Sequence, residues 1–392
     1  MQSDVVLVRH GELGVKSEQV RRKMEDRLAE NLRAMFDQRG LSGDIERRRN
    51  RLFVHTDDPD AVADAAADTF GVVSASPART VDPTLSAISD ALAAAASANY
   101  DGGTFAVDAS RAGLSDAHPF ASTDIESEGG AAVWDAIESL GQEPRVDLDD
   151  PDFELFVECR AERAYVFTEK RPGPGGLPLG SQRPVVALVS GGIDSPVAAW
   201  QLMARGCPVI PVYVDLGDYG GPDHRARASA TVETLAGYAP SESMALHVVD
   251  AGEVVQILEA EMDDLRMLAL RRFMLAVADA VADDEGAVGV VTGEAIGQKS
   301  SQTSANLAVT DPAASLPVHR PLLTMDKAEI TNLARNIGTF EDATVDTGCN
   351  RVAPELPETS ASLAAVRAAE PDDLFERAGA CASERDVVPI ER

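Results

Sequence analysis

Residues 185–199 read VVALVSGGIDSPVAA, and no other stretch constrains the fold as strongly. The first five residues are apolar, which is typical of a strand buried on both faces of a parallel sheet. A turn with two glycines follows, and small residues at helical spacing come next. A strand, a glycine-rich turn and a helix in this order predict a phosphate site, because backbone N–H groups at the helix start face the ligand.

The turn SGGIDS lacks the Gly-Lys-Ser/Thr ending of kinase-type P-loops. Gly191 and Gly192 allow the backbone to approach phosphate closely, while Ser190 and Ser195 offer hydroxyl donors. Asp194 is an anion at a site for anions, so we expect it to fix the loop or to bind Mg²⁺. A transferase of the terminal phosphate would need a lysine on that phosphate, so its absence from this loop disfavours kinase-type phosphoryl transfer.

Beyond residue 184, apolar strands alternate with helices, which predicts a doubly wound parallel-sheet α/β domain. The pattern predicts one long helix over residues 253–284 and a strand over residues 287–294. Ligands of such sheets bind beyond the carboxyl ends of the strands. SGGIDS and a second polar stretch, TGEAIGQKSSQ, both occupy such ends and are therefore candidates for the site.

The chain before this domain divides into three parts. Residues 1–60 predict a small α+β unit in which an amphipathic helix separates strands. Residues 61–170 alternate between further helices and strands. Residues 171–184, RPGPGGLPLGSQRP, are rich in proline and glycine, so we expect no helix or strand to run through them, but a linker or ordered loop into the domain at 185–392.

The composition is strongly acidic, with a formal charge of −30 and five lysines among the 35 basic residues. An ordered chain of this kind suggests adaptation to high salt, where charge repulsion is screened within about 3 Å. No apolar run approaches the roughly 20 residues that span a bilayer, and the N-terminus lacks a signal-peptide pattern, so we expect a cytoplasmic protein. The four cysteines are widely spaced without a CxxC pair, which predicts neither a zinc site nor a disulfide framework.

Positive charge concentrates in residues 1–56, which carry twelve basic and nine acidic residues, against 23 and 56 in the remainder. A basic segment in an acidic protein predicts a surface that faces a polyanion, although a solvated helix face with a chance excess of charge would look the same. The candidates for contacts with the phosphates of such a polyanion are Arg47, Arg48, Arg49 and Arg51 in this segment, with Arg111 beyond it.

Several stretches together resemble one family. SGGIDS resembles the pyrophosphatase-type loop of ATP-dependent adenylating enzymes. TGEAIGQKSSQTSANL (residues 292–307) and RPLLTMDKAEITNLARNIGTFE (320–341) resemble the tRNA 4-thiouridine synthetase (tRNA sulfurtransferase) family, as do LVRHGELGVKS, FASTDIESEGG and GGLPLGSQ. The resemblance covers essentially the whole chain, and the acidic composition suggests a haloarchaeal member.

The resemblance implies a domain organisation and partners. It implies an N-terminal ferredoxin-like α+β domain (residues 1–60), an RNA-binding THUMP domain (61–170), the linker (171–184) and an ATP-binding adenylating domain (185–392). In that family the first two domains bind the acceptor region of tRNA, and the third uses ATP with Mg²⁺. A homodimer is compatible with this organisation.

Residue roles follow from the matching positions. Asp194 and Lys327 match catalytically important residues, and Cys349 in DTGCNRVAPELP matches the cysteine that carries sulfur. The alternative for Lys327 is an ordinary solvated helix lysine, which a chain with so few lysines makes less favourable. The residues expected to bind ATP are Leu188, Val189, Ser190, Gly191, Gly192, Asp194, Ser195, Tyr213, Val214, Arg271, Gly293 and Gln302.

The expected reaction is ATP-dependent formation of 4-thiouridine in tRNA. Uridine O4 is a poor leaving group, so adenylation converts it to an AMP ester, and sulfur carried as a persulfide on Cys349 then attacks C4. Cys159 and Cys207 lie in apolar, strand-like stretches and are expected in the core. Cys381 is either a resolving partner that forms a disulfide with Cys349 or a small helix residue.

Two sulfur devices found in the family are not expected here. Only 43 residues follow Cys349, too few for a rhodanese domain, and RMLALRRFML lacks the cysteines of an iron–sulfur site. We therefore expect an external sulfur donor, which is a cysteine desulfurase, sulfide or a sulfur-carrier protein. A role in thiamine thiazole synthesis stays open, as do two other functions: an amide-forming adenylating synthetase and a non-catalytic tRNA-binding protein.

Overall fold

The computed structural model describes residues 3–11, 17–48, 51–112, 117–220, 222–299, 301–343 and 349–390, with the backbone alone at 222, 342, 349 and 350. The chain divides into two compact units, Met1–Gly176 and Leu177–Arg392, each with a core of its own. None of the helices within these ranges combines the length and the apolar character that crossing a bilayer requires.

The first half of the N-terminal unit is a ferredoxin-like domain built from β1 (Val5–His10), α1 (Glu18–Gln38), β2 (Asp44–Arg48), β3 (Arg51–His55), α2 (Pro59–Ala67) and β4 (Val72–Val81). The strands pair antiparallel in the order β2-β3-β1-β4, and α1 and α2 share one core with them. The predicted boundary after residue 60 falls inside α2, whose Val62 and Ala66 belong to this core. The ferredoxin-like core therefore continues beyond residue 60 into β4.

The second half of this unit adds α3 (Leu85–Asn99), β5 (Phe105–Ala112), α4 (Ser122–Ser139), β6 (Phe153–Arg160), β7 (Ala164–Phe167) and β8 (Arg171–Pro172). β5 and β6 run parallel, β7 pairs antiparallel with β6, and the last residues of β4 pair with β7. Gly129 of α4 lies so close to α3 that a Cβ there would come within 2.5 Å of Leu92 Cδ1. One sheet therefore runs through both halves, with β4 as their common strand.

The proline- and glycine-rich segment 171–184 is ordered, and the boundary between the units falls inside it. No helix or strand runs through the segment; its first two residues, Arg171 and Pro172, form the short strand β8 and pair with β4. Beyond the boundary Leu177 and Leu179 are buried, and the Leu177 N–H donates to the Ala204 carbonyl at 2.9 Å. Although it is rich in proline and glycine, this segment therefore makes backbone hydrogen bonds to β4 before the boundary and to Ala204 after it.

The C-terminal unit contains β9 (Val185–Val189), α5 (Asp194–Ala204), β10 (Val209–Asp215), α6 (Pro222–Gly237), β11 (Ala245–Asp250), α7 (Gly252–Glu261), α8 (Arg266–Glu285), β12 (Val290–Val291), α9 (Ser304–Thr310), β13 (Val318–His319), α10 (Lys327–Asn336), α11 (Cys349–Val352), α12 (Leu363–Ala369), α13 (Leu374–Ser383) and β14 (Asp386–Pro389). The sheet order is β13-β12-β9-β10-β11-β14, with all strands parallel except β14. This confirms the predicted doubly wound domain. The strand order reverses between β9 and β12, where ligands of such sheets bind.

Two elements differ in extent from their prediction. The helix expected over residues 253–284 is two helices, α7 and α8, because Met262 takes an extended backbone (ψ 139°) and is buried in the core. The strand expected over residues 287–294 contains only β12, because Gly293 already passes against the first residues of α5. In both cases the affected stretch lies next in the chain to residues that line a cavity in this unit, Met267 in α8 and Gly293 after β12.

Candidate active site

A cavity of about 700 Å³ lies at the carboxyl ends of β9, β10 and β12. This volume is within the range of pockets that hold small organic ligands. All twelve residues that the sequence assigns to ATP line it, and Lys327 lines it as well. The fold therefore brings together residues from positions 188 to 327, while their individual roles stay predictions.

The loop between β9 and α5 is held by its two serines. The Ser190 N–H donates to Ser195 Oγ at 2.9 Å, and the two hydroxyl oxygens lie 3.1 Å apart. The Gly192 N–H donates to Ser190 Oγ at 3.3 Å. Helix α5 follows without a side-chain cap, because Ile193 occupies the N-cap position. The first turn of α5 thus keeps backbone donors and a positive dipole end for an anion.

Gly293 lies against the start of α5 and leaves no room for a side chain. A Cβ at this position would come within 2.7 Å of the Ser195 nitrogen and 2.8 Å of the Asp194 carbonyl carbon. Both are backbone atoms, which cannot move aside as the end of a flexible side chain can. A glycine after β12 is therefore required for the loop to lie where it does.

Lys327 and Asp194 form an ion pair across the cavity. Lys327 Nζ lies 2.7 Å from Asp194 Oδ1, with the lysine side chain 52% and the aspartate side chain 30% exposed. Lys327 is the first residue of α10, whose start is fixed by a capping box between Asp326 and Glu329. An exposed pair of this kind contributes only about 0.2–1 kcal/mol to stability. We infer that its main effect is to position the two charges.

A buried carboxylate, Glu294, joins two arginines beside the loop. It pairs with Arg271 of α8, accepts from Arg320 Nε at 2.7 Å and accepts from Thr292 Oγ1 at 3.1 Å. Burial raises the pKa of the Glu294 carboxyl, but the two guanidinium groups and the hydrogen bonds lower it by more, so its pKa lies below the usual value. Glu294 is therefore ionised and holds Arg271 toward the cavity.

Sequence reasoning missed Glu294 and Arg320, although both fall in the quoted stretches TGEAIGQKSSQTSANL and RPLLTMDKAEITNLARNIGTFE. It did identify Gln302, which adjoins the same network. With its amide oriented to satisfy both polar atoms, Gln302 accepts from Arg271 Nη2 at 3.1 Å and donates to the Ala295 carbonyl at 2.9 Å. The signal that could have identified Glu294 is that it is a charged residue within TGEAIGQKSSQTSANL, one of the stretches that resemble the family.

The rest of the cavity wall is largely apolar. Apolar side chains of this kind can enclose the faces of a planar base. The apolar side chains come from β9, β10, α8 and the segment after α10, and they include Leu188, Val214, Met267, Leu270, Met274 and Phe340.

Cys349 begins α11, and its side chain, like residues 344–348, lies outside the described residues. The nearest cavity-lining residues on the two sides of it in the chain are Ala343 and Ala353. Val352, at the end of α11, is fully buried in the domain core. The expected sulfur-carrying role of Cys349 stays a prediction.

The other three cysteines are free thiols. Cys159 of β6 is buried in the core, as expected, whereas Cys207 is only partly buried and lies outside the core clusters. Burial raises the pKa of both thiols. Cys381 lies in α13, and burial, followed by nearby carboxylates such as that of Asp250, raises the pKa of its thiol. A raised pKa disfavours the thiolate that a resolving cysteine needs.

The arginines predicted to contact RNA take part in contacts within the N-terminal unit. Arg47 pairs with Asp26, and Arg48 lies 2.7 Å from both Glu46 and Glu162. Together with Arg21, Arg22 and two glutamates, Arg47 and Arg48 line a cavity of about 570 Å³ beside α1.

Arg51, at the start of β3, is the register partner of Arg48 at the end of β2, so these two arginines lie side by side on adjacent strands. Arg51 Nε is 3.2 Å from Glu158 Oε2, while Arg111 of β5 donates through Nη1 to the Phe120 carbonyl at 2.5 Å. Arg49 lies outside the described residues. The RNA contact of each arginine stays a prediction.

Three family models match the chain. The one described as thiamine biosynthesis protein (ThiI) matches residues 180–374, the ThiI ferredoxin-like domain matches 5–76, and the THUMP domain matches 82–169. Among solved structures, a 4-thiouridine synthetase–RNA complex with bound ATP is similar over the full length of both chains, with a TM-score of 0.81 and 29% identity.

Curated relatives extend over almost the whole chain. A probable tRNA sulfurtransferase of Halobacterium salinarum is 59% identical over 389 residues, covering 99% of this chain and 98% of the relative. One of Methanosarcina acetivorans is 41% identical over 364 residues, covering 92% of this chain and 87% of the relative. With a ferredoxin-like domain, a THUMP domain and a doubly wound domain in this order, the chain belongs to the ThiI family of tRNA sulfurtransferases.

Proposed function

We propose that this protein is an ATP-dependent tRNA sulfurtransferase that makes 4-thiouridine. The observation that carries the proposal is the cavity in which the SGGIDS loop, the Asp194–Lys327 pair and an apolar recess lie together. Relatives covering nearly the whole chain are named as probable tRNA sulfurtransferases, and a solved relative of full length is a 4-thiouridine synthetase with RNA and ATP bound. The proposal extends those names to this chain.

The first step is adenylation of the target uridine. Uridine O4 attacks the α-phosphorus of ATP, and pyrophosphate leaves. The loop backbone and the first turn of α5 bind the departing anion, since they present N–H groups and a positive dipole end. Lys327 stabilises the charge that develops at the α-phosphate, and Asp194 holds its ammonium group in place.

The second step replaces the activated oxygen with sulfur. The terminal sulfur of a persulfide on Cys349 attacks C4, and AMP leaves with the former O4. A second thiol, from an external reductant or from Cys381, then attacks Cys349 Sγ. This breaks the S–S bond, releases 4-thiouridine and leaves a disulfide, so that atoms and electrons balance. The persulfide on Cys349 is supplied by a cysteine desulfurase, whose own persulfide passes its outer sulfur to the Cys349 thiolate and is left as a thiol. Free sulfide, being more reduced, would instead attack C4 directly without Cys349. The persulfide sulfur would also serve thiazole synthesis for thiamine.

The residues present fit a nucleotide with Mg²⁺. Asp194 is a carboxylate about one third exposed at the loop, and Mg²⁺ takes carboxylate and phosphate oxygens. When bound, Mg²⁺ would neutralise charge on the phosphates. Arg271, held by Glu294, would contact the nucleotide from α8. In the N-terminal unit, the arginine-lined cavity beside α1 would contact phosphates of the tRNA backbone.

The decisive experiment combines the purified protein with ATP, Mg²⁺, sulfide or a desulfurase with cysteine, and unmodified tRNA in molar KCl. We expect pyrophosphate release that depends on tRNA, and a nucleoside that absorbs near-ultraviolet light after digestion. Asp194→Asn serves as the inactive control. Pyrophosphate release that needs ammonia and ignores tRNA would instead support an amide-forming synthetase, and binding of tRNA without any pyrophosphate release would support a non-catalytic RNA-binding protein.

A further inference from the structure

Helix α6 packs against the phosphate loop through Arg227. A Cβ built on Gly191 would lie 3.0 Å from Arg227 Cβ and 3.4 Å from Arg227 Cδ. The same Cβ would lie 3.4 Å from the His224 carbonyl oxygen, one turn earlier. The arginine side chain therefore runs directly along the glycine part of SGGIDS, with no side chain between them.

One terminal nitrogen of this arginine is shielded from water without a hydrogen-bond acceptor, although the residue as a whole is only partly buried. Arg227 Nη1 is buried and has no hydrogen-bond partner within the described part of the chain. Buried guanidinium groups normally have acceptors, because an unmet buried donor is costly. His224, three residues earlier on the same helix face, lines the cavity. Arg227 itself is not among the cavity-lining residues, and it adjoins the site through its contact with Gly191, which does line the cavity.

The charge of Arg227 is also distinctive at this site. Arg271 faces Glu294, and Lys327 faces Asp194, so each of these cations already has a carboxylate. Among the described residues, no carboxylate forms an ion pair with Arg227. A triphosphate brings several negative charges, whereas a helix start supplies only about half a positive charge. A guanidinium beside the loop matches phosphate in charge and in its forked geometry.

We propose that Arg227 is a pyrophosphate-binding residue that donates through its guanidinium to the β- or γ-phosphate oxygens of the nucleotide. The inference rests on the proposed function, because it takes ATP as the ligand of the loop. Arg227 holds the part of the nucleotide that leaves, whereas Arg271 and the apolar wall contact the part that stays. Arg227 therefore contributes to the affinity for ATP but not to the affinity for AMP, which lacks the β- and γ-phosphates.

The test compares nucleotide binding by wild type, Arg227→Gln and Arg225→Gln, all at one KCl concentration because phosphate contacts depend on salt. Arg225 is exposed on the same helix and serves as the matched control. Isothermal titration should show ATP and inorganic pyrophosphate binding about tenfold to a hundredfold more weakly to Arg227→Gln, with AMP binding changed less than about twofold. Arg225→Gln should match wild type for all three.

A second measurement separates binding from folding. Since Nη1 has no partner in the unliganded protein, the melting temperature of nucleotide-free Arg227→Gln should equal or exceed that of wild type, while ATP should stabilise the variant less. Equal losses of ATP and AMP affinity, or unchanged ATP affinity, would overturn the proposal. If wild type binds ATP but releases no pyrophosphate with tRNA, the proposed function fails. The relative losses of ATP and AMP affinity in Arg227→Gln would still test whether Arg227 binds the pyrophosphate part of the nucleotide.

Discussion

Lys327 Nζ lies 2.7 Å from Asp194 Oδ1, and these two residues begin two different helices, α10 and α5. They are 133 positions apart in the chain, so only the fold brings them together. Because both helix starts line the same cavity, a nucleotide bound there would face two helix dipoles and one ion pair.

Asp194→Asn removes the carboxylate that holds Lys327. We expect the rate of tRNA-dependent pyrophosphate release to fall about 10²- to 10³-fold, because the lysine is no longer positioned at the reacting phosphate. The free energy of unfolding should change by less than about 1 kcal/mol, since the pair is partly exposed. Asp283→Asn, at an exposed position of α8, is the control. A full rate in Asp194→Asn would contradict the catalytic role.

Glu294→Gln removes the buried charge that Arg271 and Arg320 share. The substitution leaves Arg271 without its carboxylate and Arg320 with that of Asp311 alone, so the free energy of unfolding at pH 7 should fall by about 3–5 kcal/mol. Denaturant unfolding measures this, and the KM for ATP should rise because Arg271 is released. Glu285→Gln, which breaks a more exposed pair with Arg385, should cost less than about 1 kcal/mol.

The effect of Glu294 should depend on pH. Its pKa is lower in the folded protein than its ordinary value of 4.5, so its stabilising contribution is complete above that value and disappears as pH falls through the folded pKa. The difference in unfolding free energy between wild type and Glu294→Gln should be constant near neutrality and narrow below about pH 4.5. A difference that is unchanged under strongly acidic conditions would refute the ion-pair assignment.

Gly293→Ala should displace the phosphate loop. The new methyl group would lie 2.7 Å from the Ser195 nitrogen, so the start of α5 must shift. We expect ATP affinity to fall at least about tenfold, measured by titration calorimetry. Gly379→Ala in α13 is the matched control, because no atom lies within 4 Å of its Cβ. That change should stabilise the protein by about 0.5–1 kcal/mol.

Cys349→Ser and Cys381→Ser should separate the two proposed thiol roles. We expect Cys349→Ser to abolish thiolation while tRNA-dependent pyrophosphate release continues, because adenylation does not need the sulfur carrier. Cys381→Ser should retain thiolation when an external thiol is present, since the raised pKa of Cys381 makes it a weak nucleophile at neutral pH. Loss of thiolation in Cys381→Ser alone would make it the resolving residue.

The positions that sequence could identify are those where local pattern and chemistry coincide. One local structure, a strand followed by a glycine turn and a helix, is predicted by the run VVALV, the glycines of SGGIDS and the small residues of α5. The structure contains this strand and helix as β9 and α5. Glu294 and Arg320 were missed because their importance comes from contacts with α8, which no local pattern records. Arg227 was missed because HRARASA looks like any exposed helix, whereas its position against Gly191 depends on packing.

Element limits were predictable only where the chain stays regular. The end of the helix at Met262 could not be predicted from the sequence. An apolar residue at helical spacing is expected both in a continuous helix and where the chain leaves the helix and enters the core. The boundary predicted after residue 60 lies inside α2 for a related reason. Helix α2, which spans it, and strand β4, which follows it, share a core with β1, and sequence neighbours do not reveal which earlier strand a later one will join.

The shared strand β4 has a consequence for the N-terminal unit. Residues 72–78 pair with β1 and residues 79–81 with β7, so one backbone segment supplies hydrogen bonds to both domains. Hinge motion between the ferredoxin-like and THUMP domains would have to bend or break that strand. The distance between RNA-binding positions on the two domains would therefore be fixed by the shared strand. Cutting the chain within β4 would leave each fragment with an unpaired sheet edge, the kind of surface that promotes aggregation.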